Sequence, residues 1–143
     1  ADRTGIRLSP VSHAMGAFDS DPSAVFVPLV HELNRFGLAY VHVIEGQTQG
    51  PREFEGFDFA QLRRAFDGPW MVNNGYSREL AIDAVASGRA DLVAFGRAYL
   101  ANPDLVERLR VDAPLAEVDW DHTFGGDVQG YTDYPTLQSV SAS

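Results

Sequence analysis

Three groups of residues in this chain have the types and spacing needed to hold an anion. Gly96-Arg97 follows the apolar run Leu92-Val93-Ala94-Phe95. The glycine lets backbone N–H groups come close to a ligand, and the arginine adds a planar fork of donors matched to phosphate oxygens. Asn73-Asn74-Gly75 follows Pro69-Trp70-Met71-Val72 and precedes Ser77, a good helix cap. A strand, a small-residue turn and a helix N-terminus together present free N–H groups at the positive end of a helix dipole. Each group also has a plainer reading as a βα turn beside a solvated charge. Arg7 is the third case. It sits in Thr4-Gly5-Ile6-Arg7-Leu8-Ser9-Pro10, a strand pattern with Ile6 and Leu8 on one face and Gly5, Arg7 and Ser9 on the other. A guanidinium on a sheet face is costly unless it meets an anion, so Arg7 either pairs with a core carboxylate or faces a ligand.

Other chemistry is bounded by what the chain lacks. All 11 basic residues are arginine, so no lysine is present for a Schiff base, and there is no cysteine for a thiolate, a disulfide or a sulfur-ligated metal. His42 has no second histidine at metal-ligand spacing and shares a strand face with Tyr40 and Ile44, the pattern of a hydrogen-bonded core histidine; no metal is expected. Glu45 stands just past the carboxyl end of the same strand, where α/β proteins place functional groups. A net charge of -9 argues against nucleic acid or an anionic membrane as the partner. No apolar run approaches a membrane span, the first residues do not read as a signal peptide, and the expectation is a soluble protein of the reducing cytoplasm.

The elements that must position these residues alternate. Strands are predicted near residues 4–9, 38–44, 69–72 and 92–95, the last covered on both faces. Asp21 and Pro22 open a helix to Phe36, closed by Gly37, with Val25, Leu29, Val30, Leu33 and Phe36 as its apolar stripe. Asp58 caps a short helix through Phe66 with Phe59, Leu62 and Phe66 inward. Ser77 caps another to Ser87 with Leu80, Ala81, Ala84 and Val85 inward, and Asn102 caps a last one from Pro103 to about Arg110. The loop from Gly46 to Phe57 is long and glycine-rich, suited to a lid or binding loop. Beyond Val111 there is no periodic pattern, and 138–143 reads as a disordered tail. Alternating strand and helix implies a parallel sheet, in either an open doubly wound form or part of a barrel. The anion-suited turns follow the last two strands, where (β/α)8 barrels often hold a phosphate, yet such a barrel needs twice this many strands.

Thr-Gly-Ile-Arg-Leu-Ser-Pro at 4–10, Gly-Leu-Ala-Tyr-Val-His-Val-Ile-Glu at 37–45, Asn-Asn-Gly-Tyr-Ser at 73–77, Ala-Asp-Leu-Val-Ala-Phe-Gly-Arg at 90–97, Ala-Asn-Pro-Asp-Leu at 101–105 and Gly-Tyr-Thr-Asp-Tyr-Pro at 130–135 together resemble the Old Yellow Enzyme family, in order and along nearly the whole chain. These are FMN-dependent ene-reductases on a TIM barrel. The resemblance implies an α/β fold that is half of such a barrel, strands five to eight with their helices and a closing tail over residues 1–137. It implies FMN as cofactor, NADH or NADPH as reductant, and an activated alkene as substrate. It places Arg7 against the pyrimidine edge of the flavin, and Asn73, Asn74, Gly75, Gly96 and Arg97 at the cofactor, the last four toward its phosphate. Asn74 stands where the family commonly has glycine. Phe124 stands near the substrate where relatives have tyrosine, keeping the ring and losing the hydroxyl. The family's substrate-holding pair and tyrosine proton donor lie in the first four strands, so no catalytic residue is assigned in this chain. The implied partner is a complementary amino-terminal half-barrel, or a second copy through self-association, because the outer strands would otherwise leave open edges. The competing functional reading is a non-redox half-barrel that binds a phosphate ligand and self-associates. A barrel enzyme acting on phosphorylated metabolites is a third, although it leaves Arg7 without a duty.

Overall fold

Strand and helix alternate from the first element in the computed structural model, which describes residues 2–125 and 127–137. The expected tail at 138–143 lies outside the described residues. The described residues form two compact units divided after Ala94. The first unit runs β1 (Gly5–Leu8), α1 (Pro22–Leu33), β2 (Tyr40–Ile44), α2 (Phe59–Arg64), β3 (Trp70–Asn73), α3 (Arg78–Ala86) and β4 (Leu92–Val93). Every neighbouring pair of strands is parallel and the spatial order is β1-β2-β3-β4. A doubly wound sheet reverses its order at a switch point. This sheet does not reverse, so each βα unit adds its strand beside the previous one in the sense a barrel requires.

Local chemistry explains where the helices begin. Asp21 accepts a hydrogen bond from Ala24 N at 3.0 Å with Pro22 at the first helical position. Asp58 accepts from Ala60 N at 2.8 Å, and Ser77 Oγ from Leu80 N at 3.2 Å, each satisfying an amide that the first helical turn leaves free. After α1 a single 3-10 turn, Asn34–Phe36, leads to Gly37 in the left-handed region at φ 58°. The expected helix end is therefore right in position, with its last turn tighter than α-helix.

The core lies between the sheet and these helices. Leu8, Val41, Val43, Trp70 and Val72 all project to that side and meet Val30 and Leu33 of α1, Leu62 of α2, Phe66, Ala84 of α3 and Ala90 in one cluster. Two expectations about burial fail here. On α1 the buried stripe runs through Phe26, Val27, Val30 and Leu33, whereas Val25, Leu29 and Phe36 are exposed. Phe26 and Val27 pack against the core cluster in their place. On α3 only Ala84 is fully buried and Val85 faces out, since an alanine brings the helix backbone close to the strands.

The fourth strand also departs from expectation. Regular pairing covers Leu92 and Val93 alone, extended by Asp91 N to Trp70 O and Ala94 N to Val72 O, both 2.9 Å. Leu92 is 44 % exposed, because its register with Met71 places it on the sheet face away from the core. Four apolar residues in a row therefore do not mean cover on both faces within this chain.

The second unit contains α4 (Arg97–Ala101), α5 (Leu105–Val111) and a tail with no further helix or strand up to Thr136. Asn102 does not cap α5. Its side chain is fully buried and donates from Nδ2 to Ala98 O at 2.8 Å and Ala116 O at 3.1 Å, while Oδ1 accepts from Ala116 N at 2.8 Å. Asp104 occupies the cap position without capping, because its carboxylate accepts from Arg108 Nε and Leu137 N, each at 2.7 Å. Arg108, only 6 % exposed, also donates to Pro114 O at 2.7 Å and Pro135 O at 3.0 Å. A buried guanidinium with three oxygen partners is what fastens the aperiodic tail to α5.

Candidate functional site

Strand alternation sends Gly5 and Arg7 of β1, Tyr40, His42 and Ile44 of β2, Met71 and Asn73 of β3, and Leu92 of β4 to the sheet face opposite the core. The register sets Gly5 beside Tyr40, Arg7 beside His42, His42 beside Met71 and Ile44 beside Asn73. Gly5 makes room for its neighbour: a Cβ there would come within 2.3 Å of the Tyr40 ring. The expected faces of β1 and β2 are those observed.

Polar groups on this face lack partners. Arg7 is exposed and forms no salt bridge or hydrogen bond among the described residues, so the core ion pair considered for it is not present there. His42 Nε2 and Asn73 Oδ1 are both buried without a hydrogen-bond partner. His42 was expected to be a hydrogen-bonded core histidine, and that atom is not bonded. Burial pushes the imidazole below its ordinary pKa, and the neighbouring Arg7 charge adds to the effect, while the side chain of Asn73 partly offsets it. The histidine is therefore a neutral group beside a cation.

The carboxyl ends of the strands carry a second cluster. Asn74 has φ 111° and Gly75 φ 66°, so the tight turn expected after β3 forms with an asparagine in a conformation L residues seldom take. Asn74 Nδ2 donates to Glu45 O at 2.5 Å and Gln47 O at 3.0 Å, with Gly50 O at 3.5 Å. Tyr76 Oη donates to Glu45 Oε2 at 2.6 Å, and Arg52 lies 3.7 Å from the same oxygen and 5.2 Å from the Tyr76 ring centre. Burial, then the bond to Glu45, pushes the tyrosine hydroxyl up and keeps it a donor. Glu45 is thus paired rather than free.

The loop after β2 is tied on its other side as well. Gln47 Nε2 donates to Val11 O at 2.6 Å, Gln47 Oε1 accepts from His13 N at 3.1 Å, and the Ser12 and Thr48 hydroxyls bond at 2.7 Å. Gly46 at φ 69° is required, since a Cβ would meet Pro51 O at 2.1 Å. The loop expected to serve as a lid or binding loop is thus tied by hydrogen bonds at Gln47, Thr48 and Gly50. The polar side chains in it pointed to such anchoring, but only the strand order reveals that residues 11–13, 45–52 and 74–76 meet.

Gly96, Arg97 and Phe124 belong to the second unit. Gly96 precedes α4 at φ -94°, a conformation open to any residue, and a Cβ there would meet nothing within 4 Å. Arg97 is the exposed first residue of α4, and Phe124 is 80 % exposed. Among the described residues no cluster of metal-ligating side chains is present, and no helix is long and apolar enough to cross a membrane.

Residues 1–116 match the sequence profile of the NADH:flavin oxidoreductase / NADH oxidase family. The chain belongs to that family. It is 42 % identical to 12-oxophytodienoate reductase 2 of Arabidopsis thaliana over 143 residues, covering 98 % of this chain and 38 % of that protein. It is 43 % identical to 12-oxophytodienoate reductase 1 of Oryza sativa subsp. japonica over 145 residues, with the same two coverages. The old yellow enzyme from Trypanosoma cruzi superposes with a TM-score of 0.85 at 35 % identity over 93 % of this chain and 35 % of that one. Morphinone reductase, solved in complex with tetrahydroNAD, superposes with a TM-score of 0.82 at 41 % identity over the same shares. The family resemblance noted in the motifs is therefore sound, and the fold is four successive parallel β/α units, half of a TIM barrel. The chain spans little more than a third of the length of the relatives it matches.

Proposed function

We propose that this chain supplies one side of an FMN site in an ene-reductase. NADH or NADPH serves as reductant, an activated alkene as acceptor, and a complementary amino-terminal half-barrel completes the enzyme. The observation that carries the reading is the polar lane on the sheet face opposite the core: an exposed, unpaired Arg7 on β1, His42 beside it on β2 and Asn73 on the next strand, with His42 Nε2 and Asn73 Oδ1 buried and without a hydrogen-bond partner. Buried polar atoms without partners cost free energy, so a face that carries two of them and a free guanidinium across three adjacent strands is suited to a flat ligand with its own donors and acceptors. The pyrimidine edge of a flavin is such a ligand, and these residues fit it. FMN, when bound, carries the hydride between reductant and alkene. Arg7 would hold a positive charge where the reduced ring gains a negative one, a preorganised interaction that strengthens as the charge develops. A neutral His42 next to it adds no competing cation. Within the first unit the turn at Asn74-Gly75 would hold the phosphate; the roles of Gly96, Arg97 and Phe124 rest on the family resemblance alone. A barrel enzyme acting on phosphorylated metabolites leaves Arg7 without a duty, which favours the flavin reading over that one.

Mixing the purified chain with the amino-terminal part of a family relative, in the presence of FMN, tests the proposal. The expected result is a yellow complex that oxidises NADH or NADPH when given an activated enone. A chain that binds inorganic phosphate and takes up no flavin in either setting would leave only the non-redox reading.

A further inference from the structure

The amides of Asn74 and Gly75 have no acceptor among the described residues, although the turn that carries them is fixed from both flanks. On one flank the Asn74 carboxamide sits among three carbonyl oxygens, those of Glu45, Gln47 and Gly50, an environment that only its NH2 group can satisfy. On the other, the Tyr76 hydroxyl is held by Glu45 Oε2 and its ring is covered by Arg52. Both attachments run to the loop after β2, nearly thirty residues away in sequence. Between them the backbone keeps φ 111° at Asn74, which an asparagine holds only when its surroundings determine it. An unsupported turn of this kind would sample conformations in which the two free amides point apart, and ordering them would weaken ligand binding.

The geometry points to Asn74 as a positioning residue: through its side-chain bonds to the loop after β2, it holds the Asn74 and Gly75 amides ready for the phosphate monoester end of FMN. This rests on the flavin reading and adds to it which side chain sets the phosphate contribution. Asn74 does its work without touching the ligand through its side chain, whose donors are already used.

FMN and riboflavin, titrated separately by flavin fluorescence into the chain assembled with the amino-terminal part of a family relative, test the inference, because riboflavin has the same ring and ribityl chain without the phosphate. The unaltered chain should bind FMN at least about tenfold more tightly than riboflavin, the scale of one charge-assisted hydrogen bond or more. Asn74→Gly keeps the positive φ and removes the carboxamide. It should lower FMN affinity roughly tenfold and leave riboflavin affinity unchanged. Asn74→Asp keeps the size, loses the NH2 donors and should lose the FMN preference too, which covers the case in which the glycine variant does not fold. If both variants keep the original ratio of FMN to riboflavin affinity, or if both affinities fall together, the positioning role is overturned. If the unaltered chain shows no preference for FMN, the phosphate assignment of the turn fails and takes this inference with it, a result distinct from loss of preference in the variants alone.

Discussion

The two faces of the first unit's sheet are built to different ends. On the helix side, Leu8, Val41, Val43, Trp70 and Val72 are closed over by α1, α2 and α3, and each is less than a tenth exposed. On the other side the same strands present Arg7, Tyr40, His42, Met71, Asn73 and the half-exposed Leu92, with two buried polar atoms unbonded. One face is satisfied by the chain's own helices, so its chemistry is the ordinary burial of apolar area. The other is left with polar groups that nothing in the described chain completes. The contrast separates side chains that the chain's own helices cover from side chains that they leave open, on strands only two to five residues long.

The largest effect should come from the helix side. Trp70→Ala removes the largest fully buried side chain and should cost about 3–5 kcal/mol in denaturant unfolding. Met71→Ala, one residue on and facing the other way, should cost markedly less. Equal losses would mean that the second face is packed as a core and would undo the comparison.

Next comes a pH effect confined to the polar face. The folded-state pKa of His42 lies below its unfolded value near 6.5, so the unfolded chain binds the proton more readily. The stability that the neutral imidazole contributes is complete above about pH 6.5 and is lost as pH falls from there through the lowered folded-state pKa. His42→Gln should flatten this part of the stability profile while leaving stability at pH 8 nearly unchanged. A wild-type slope retained in His42→Gln would assign the acid sensitivity elsewhere. Smaller still, Asn73→Ala removes an unbonded buried oxygen and should shift stability by no more than about 1 kcal/mol in either direction, as measured by thermal melt.

Much of this arrangement was legible in the sequence because it is local. The alternation in Gly5-Ile6-Arg7-Leu8 and Tyr40-Val41-His42-Val43-Ile44 assigns the faces correctly, and the caps at Asp21, Asp58 and Ser77 stand where their side chains suit the first helical amides. What was not legible depends on residues far apart. Leu92 to Phe95 reads as a strand covered on both faces, but cover depends on what packs against each face, and Leu92 lies on the one away from the core. Asn102 before proline reads as a cap, yet its carboxamide is claimed by Ala98 and by Ala116 in the tail. Arg108 carries no signal in the sequence that sets it apart from its neighbours, and it is the buried clamp of that tail. The stripe on α1 was misplaced by its own ambiguity, since Val25, Phe26, Leu29 and Val30 offer two overlapping faces and only packing against the sheet selects one. Within the candidate site, Arg7 and the turn at Asn74-Gly75 stood out by type and spacing. The bonds from Asn74 to the loop after β2, and the unmet atoms of His42 and Asn73, emerge only when three strands lie side by side.

The central claim is that the polar face is a flavin face with Arg7 at its charged edge, and spectroelectrochemical titration of FMN bound to the completed protein tests it most directly. If Arg7 lies against the ring, Arg7→Ala removes the positive charge nearest the reduced flavin, and the midpoint potential of the bound cofactor should move to a more negative value than in the unaltered protein while FMN stays bound. The same potential in both proteins, with FMN bound in both, would contradict the account.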